Sequence, residues 1–461
     1  MARGKYQKRR KKRSVLPVLI LILLLVVLAV LLINRNSLFS GNDTTPPQTS
    51  TIPIQTTTDA TTVVTTTAEP TVETTVETKP FVVSKATVGV SGDVLIHSPV
   101  YNAAYRGDGV YDFNNIFTYI SEYYESFDFM VANLEVTLSG EKRGYSGYPN
   151  FNCPDAIVDA LKTAGVDMVL NSNNHTYDHG NFGFVRTQEV LIENEMPYLG
   201  TRLSEDTPPY VIQDINGIQI GMVCYTYETG NTSDGRKTLN GIPVSADDTN
   251  LINSFHYKKL DKFYAELEAI LAEMDSHGAD ASMVYIHWGD EYHTSPNETQ
   301  KQIAQALCEL GVDVIVGGHP HVIQPFDTLT STTGHQTYCI YSVGNAISNQ
   351  RRTNISAAPN GHVEDGMIFG VEFELWNNGS VIVSDVNILP TWVNKEWRSS
   401  GNTYHIIPLD TAVDVWDCYE VSDVGYTYGS YKRTMAIVGE GLNACREAFG
   451  LPTLPMTHND Q

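Results

Sequence analysis

The sequence predicts an α/β fold built on two packed sheets, reached from the N-terminus through one transmembrane helix and a threonine-rich stalk. Three observations carry this expectation. A helix, a glycine turn and a short buried strand follow one another twice, which is the pattern of parallel α/β layering. Hairpin patterns lie among the helices, which fits two sheets better than a single doubly wound one. Five apolar runs of strand type end in side chains that bind metals or move protons.

Taken in order, the chain begins with eight positive charges in its first thirteen residues, from Arg3 to Arg13, and no acid. Val15 to Ile33 is then an apolar run of nineteen residues. As a helix it would be roughly 28 Å long, close to the ~30 Å hydrocarbon thickness of a bilayer. A cleaved signal peptide has a shorter apolar centre and a small-residue cleavage site, and no clear site follows Ile33. The basic cluster sets the expected topology: residues 1–14 cytoplasmic, 15–33 spanning a cell membrane once, the rest outside. Sixteen of the thirty-five residues from Thr44 to Thr78 are threonine, among Pro, Val and Glu. Such a composition buries no core, so 34–81 is expected to be a disordered linker.

Order is expected from 82. Pro154 to Leu170 and Pro296 to Val316 share one grammar, an amphipathic helix stopped at Gly165 or Gly311 and a strand entered at Val-Asp. The second helix has capping-box spacing at Ser295 and Glu298. Phe182 to Glu195 and Tyr257 to His277 read as further helices. Pro209 to Thr226 alternates as a hairpin around Asn216-Gly217, and Phe369 to Leu375 with Val381 to Leu389 forms another. The main domain is expected over 82–395, with 396–461 a C-terminal extension carrying a helix over Tyr431 to Phe449.

Charge narrows the function. With the nine basic residues up to Arg35 set aside, 21 Lys and Arg face 53 Asp and Glu, a net −32 that argues against nucleic acid as a partner. The six cysteines show no finger spacing. Buried thiols are the simplest reading, with Cys418 and Cys445 the first pair to test for a disulfide.

The strand ends hold the chemistry. Ala86 to Ser91 runs into Gly92-Asp93, and Phe127 to Ala132 into Asn133-Leu134-Glu135. Met168 to Leu170 opens into Asn171 to Gly180, a loop containing Asn174, His175 and Asp178. Ser282 to Ile286 delivers His287, Asp290 and Glu291, and Val312 to Val316 delivers His319-Pro320-His321. Alone, Asp93 reads as a strand-end cap, Glu135 as a surface carboxylate and His287 as a bonded core imidazole. Ligands in open α/β sheets gather outside the carboxyl ends of strands, so groups distant in sequence can converge there.

As an ordered series, Gly92-Asp93, Asn133-Leu-Glu135, Asn173 to Gly180, His287 to Tyr292, Gly318 to Pro325 and Tyr341 to Asn345 resemble the poly-γ-glutamate capsule biosynthesis (CapA) family. That family is a branch of the metallophosphatase (calcineurin-like) superfamily. The resemblance covers roughly Val82 to Pro390. It implies a four-layer αββα sandwich with a two-metal centre between its sheets. It also implies Asp93 and His321 on a first metal, Glu135 bridging both, and Asn174, His287 and His319 on the second. His175 would stand beside the substrate as acid or phosphate contact. Asp178, Asp290 and Glu291 would hold the imidazoles as acceptors, and Arg351 and Arg352 would bind substrate anions.

Mixed carboxylate, amide and imidazole ligands suit Mn²⁺, Zn²⁺ or iron. One departure stands out. The superfamily's first motif is Asp-x-His, whereas Val94 and Leu95 follow Asp93 here and His97 comes two residues late. The alternative to two metals is therefore one.

Two functions follow. The first is a metal-dependent phosphoesterase of capsule or cell-surface polymer biosynthesis, acting on a phosphate ester in the envelope. The second is a non-catalytic accessory of a membrane-embedded machinery that makes or exports an anionic polymer.

Overall fold

Side chains of the strand Phe129–Leu134 point alternately to two cores. Phe129 and Val131 enter one hydrophobic cluster, and Met130, Ala132 and Leu134 enter another. A strand buried on both faces in this way must have a layer above and below it. The computed structural model describes residues 79–399, 401–414, 418–419 and 421–458. Residues 77–461 form one compact unit. The expected cytoplasmic segment, transmembrane helix and stalk, up to residue 78, lie outside the described residues. Among the described residues no helix is long and apolar enough to cross a membrane.

Two sheets face each other. The first runs in the order 401–408, 381–398, 365–376, 82–94, 129–134, 168–170, 198–199, with 345–347 also paired to 82–94. The second runs 254–255, 218–227, 281–287, 314–318, 336–343, 323–330, with 210–215 on 218–227. Val88, Val90, Val131 and Met168 of the first meet Ile220, Met222, Met283 and Val314 of the second in one shared core. Helix Ala156–Thr163 covers the outer face of the first sheet with Ile157 and Leu161. Helices Leu260–Ser276 and Glu298–Glu309 cover the second with Leu267, Ile303 and Leu307. The layers are thus helix, sheet, sheet, helix, a mixed α/β fold.

The central strands of both sheets are parallel, so their carboxyl ends share one rim. Val82–Val94 pairs in parallel with Phe129–Leu134, and that strand with Met168–Leu170. Ile218–Tyr227, Ala281–His287 and Val314–Gly318 are likewise parallel, with His287 opposite Gly318.

Several expectations need correction. The helix at 298 is capped by Asn297, whose side chain accepts from Gln300 N while Gln300 reaches back, so the box lies two residues beyond Ser295. A cap must stand next to the first free amides, and the helix begins only at Glu298. The boundary drawn at 395/396 falls inside the strand Val381–Arg398, which continues into pairing with Gly401–Pro408. Helix Val424–Ala448 then adds Tyr431, Met435, Val438 and Leu442 to the core between the sheets, so the C-terminal segment completes this unit. All six cysteines are free thiols. Cys418 is exposed whereas Cys445 is buried, and no disulfide joins them.

Candidate metal centre

The strand ends converge. Asp93, Glu135, Asn174, His175, His287, His319 and His321 are all buried, none more than 5% exposed, with Glu135 at 0%. Their placement follows from local backbone features. Val82–Val94 shifts register against Phe129–Leu134 between Ser91 and Asp93. At Gly92 a Cβ would lie 2.0 Å from the Gly344 carbonyl oxygen, so only glycine lets strand Asn345–Ile347 come alongside Asp93. His319 and His321 both adopt left-handed backbones, φ +97° and +56°. Such conformations cost about 1–3 kcal/mol each in non-glycine residues and persist at functional sites where surrounding structure fixes them.

Glu135 lies at the middle. His287 Nε2 is 3.4 Å from its Oε1, and His321 Nε2 is 3.9 Å from the same oxygen. His287 Nε2 also lies 2.8 Å from Asn174 Oδ1. His321 Nδ1 is 3.0 Å from Asp93 Oδ2 and 3.2 Å from Asn345 Oδ1. A relay of amides fixes Asp93 from behind: Asn173 donates to Asn133 Oδ1 at 3.1 Å, and Asn133 donates to Asp93 Oδ1 at 2.8 Å.

Two groups of ligand-type atoms lie within 4.8 Å of one another, Glu135 with His319 and His321, and Asp93 with Glu135 and His287. Glu135 belongs to both, as a bridging carboxylate must. The pairs implied by the resemblance are also in contact: His321 Nδ1 lies 3.0 Å from Asp93 Oδ2, and the His287 and His319 ring centroids are 4.8 Å apart.

The donor set fits divalent cations. Both Glu135 carboxylate oxygens and His319 Nδ1 are buried with no hydrogen-bond partner among the described residues. An unpartnered buried carboxylate costs several kcal/mol, and a cation held between it and the imidazoles removes that cost. Protonation directions agree. Burial opposes a charge on His321, but Glu135 and Asp93 outweigh it and push its pKa up to about 9. Burial likewise opposes the Asp93 carboxylate, yet His321, His287 and Asn133 hold its pKa below the ordinary range. His319 is pushed well below the histidine range by burial and then by His287 and His321. The pocket attracts positive charge while keeping one imidazole neutral, the form that ligates metal.

His175 stands beside this group. Its Nδ1 is 2.8 Å from Asp178 Oδ2, and Asp178 also accepts from Phe151 N at 2.6 Å and from Asn240 Nδ2 at 2.9 Å. Burial lowers the His175 pKa, but Asp178 and Glu135 raise it further, so it sits above its ordinary value.

Three expected roles are not met. Asp290 is exposed and accepts from Asn297 at 2.7 Å, away from the imidazoles, because the chain turns outward after Trp288. Arg352 grips Glu364 through Nε at 3.1 Å and Nη2 at 2.6 Å, and Arg351 Nε lies 3.5 Å from the same carboxylate. The buried carboxylate of Glu364 therefore holds both guanidiniums that the sequence suggested for substrate. Glu291 is exposed and near enough to help raise the His321 pKa; its backbone carbonyl meets His293 Nδ1 at 2.9 Å, and among the described residues its carboxylate has no hydrogen bond to the imidazoles of the centre.

His97 does not stand in for the missing motif histidine. Its Nδ1 faces Leu95 O at 3.2 Å, its ring packs edge-on to Phe151, and it belongs to neither ligand group among the described residues. Three residues at the centre went without a role in the sequence reading. Asn133 and Asn345 hold Asp93 and His321, and Tyr227 meets His319 Nε2 through its hydroxyl at 3.2 Å. Asn345 closes the Tyr341-Ser-Val-Gly motif, which was the available signal for it.

Two parallel-centred sheets with a buried carboxylate–imidazole cluster at their shared rim define a metallophosphatase-like α/β protein. Within that class the chain belongs to the bacterial capsule synthesis protein family PGA_cap, the CapA family, whose model matches residues 87–350. It is 28% identical over 288 residues to the capsule biosynthesis protein CapA of Bacillus anthracis, covering 61% of this chain and 64% of that protein. It is 27% identical over 257 residues to the PGA biosynthesis protein CapA of Bacillus subtilis (strain 168), covering 54% and 62%. The match therefore spans a little under two thirds of each relative.

Proposed function

We propose that this protein is a membrane-anchored, metal-dependent phosphoesterase of capsule or cell-surface polymer biosynthesis. The observation that carries the reading is Glu135, wholly buried, without a hydrogen bond to either carboxylate oxygen among the described residues, and shared by two groups of ligand atoms. Glu135, His319 and His321 would hold one cation and Asp93, Glu135 and His287 a second, with Asn174 beside His287. Bound divalent ions supply an acidified water and charge stabilisation at a phosphoryl group.

The chain's own residues do the rest. Asp178 fixes His175 through Nδ1, which leaves Nε2 to give a proton to a leaving oxygen. The Asp178 carboxylate at 2.8 Å favours the protonated ring. Asn133 and Asn345 hold Asp93 and His321 in register. The substrate class is a phosphate ester carried by an anionic envelope polymer or its precursor. Residues 15–33 anchor the domain at the outer face of the cell membrane, near the polymer-making machinery.

In the test, the purified full chain hydrolyses a generic phosphodiester with added Mn²⁺, and His321→Ala abolishes the activity. Inactivity with Mn²⁺, Zn²⁺ and Fe²⁺ alike contradicts the reading.

One observation favours a second reading, a non-catalytic accessory of polymer synthesis or export. Leu95, at the place of the superfamily's histidine, is buried among apolar side chains, and His97 does not compensate. Under that reading a His321→Ala chain restores surface polymer to a deletion strain. Failure to restore it returns the assignment to the enzyme.

A further inference from the structure

We propose that Tyr227 is a positioning residue of the metal centre, fixing the His319 imidazole with Nδ1 turned toward a cation. The inference rests on the metal reading above. Tyr227 ends the strand Ile218–Tyr227, one residue past Thr226, which lies opposite His287 in the parallel ladder. That register brings its ring against both imidazoles. It is tilted on His319 at 4.8 Å between centroids and nearly parallel to His287 at 6.5 Å and 5°. The ring also meets Tyr257, with centroids 5.8 Å apart and planes at 31°.

The two nitrogens of His319 are in unlike surroundings. Nε2 is 3.2 Å from the Tyr227 hydroxyl. Nδ1 is buried and has no hydrogen-bond partner among the described residues. A neutral imidazole carries its single N–H on one nitrogen and a lone pair on the other, and only the lone pair takes a metal. If Tyr227 donates to Nε2, the proton is on Nδ1 and a cation is shut out there. If Tyr227 accepts from Nε2–H, the buried Nδ1 keeps its lone pair free for a cation.

A phenol does either by rotating its O–H, so Tyr227 accommodates the metal-free chain and then locks the ligating tautomer. Outer partners of this kind fix ring orientation and raise ligand basicity, and their loss costs roughly 10- to 100-fold in metal affinity. The ring contacts set Tyr227 in place, and the hydroxyl does the selecting.

The test uses the purified full chain, its Tyr227→Phe variant, and a Tyr257→Phe control that removes a neighbouring hydroxyl, which accepts from the Gly289 amide at 2.9 Å. Zn²⁺ and Mn²⁺ affinities are measured by chelator competition. The proton of His319 Nε2 is followed by NMR of the Zn²⁺-loaded, ¹⁵N-histidine-labelled chain.

Tyr227→Phe is expected to weaken both metals about 10-fold or more, with the melting of the metal-free chain unchanged and the Nε2 proton shifted or lost to exchange. Tyr257→Phe is expected to leave affinity within about twofold. Equal affinity in wild type and Tyr227→Phe overturns the inference alone. A lower affinity with an unmoved Nε2 proton also overturns it, because the loss then comes from packing. Wild-type chain that binds neither cation overturns the metal reading and this inference together.

Discussion

Two of the buried charged clusters among the described residues are finished in opposite ways. Around Glu364 and Asp365 every carboxylate has a cation supplied by the chain itself. Arg351 and Arg352 hold Glu364, Arg433 holds Asp365 at 2.7 and 2.6 Å, and Trp392 Nε1 donates to Glu364 at 3.4 Å. Around Glu135 the charged partners among the described residues are the imidazoles of His287 and His321, and neither carboxylate oxygen has a hydrogen-bond donor among them. A closed cluster stabilises a fold, whereas an open one of the same burial needs something from outside. The difference separates the structural charges of this chain from its chemical ones, although both sit next to conspicuous motifs.

The strongest break in that comparison comes from Glu135→Gln. It should lower metal affinity by more than about 100-fold, since Glu135 serves both ligand groups. It should also raise the melting temperature of the metal-free chain, because an unpartnered buried carboxylate is removed. Isothermal titration and thermal melting check the two halves. Next is His175→Ala, expected to lower kcat about 100-fold, within the range of a general acid, with bound metal unchanged. A parallel loss of metal would make His175 a ligand instead.

On the closed side, Arg352→Ala should cost about 2 to 3 kcal/mol of stability and leave metal uptake intact. The figure is discounted from that of a fully buried pair because Arg352 is partly exposed and Arg351 remains. Denaturant unfolding measures it. A wild-type-like midpoint would erase the contrast between the clusters.

The smallest effect concerns His97, whose pKa burial pushes down to about 4. The unfolded chain takes up this proton below about pH 6.5 and the folded chain only below about 4. Stability is therefore full above 6.5 and falls as pH drops through that window. His97→Gln should flatten the slope by up to about 1.4 kcal/mol per pH unit there. Equal slopes in both chains would show that His97 is protonated in the fold.

Much of this was legible before any coordinates. The side chains at strand ends could be read as a site because parallel strands deliver their last residues to one rim, and Asp93, Glu135, His287, His319 and His321 all sit there. Helix ends at Gly165 and Gly311 were legible because both glycines take left-handed φ, +92° and +85°. What escaped depended on distant partners. Nothing local marks Glu364 as the buried acid that would hold Arg351 and Arg352. Tyr227 ends an ordinary apolar alternation, and its meaning comes from His287 and from His319, the latter ninety-two positions away.

The most direct measurement is metal content of the purified full chain after dialysis, by mass spectrometry, beside Glu135→Gln. The expected result is two transition-metal ions per wild-type chain and less than one in the variant. Wild-type chain holding no more metal than Glu135→Gln would contradict the account.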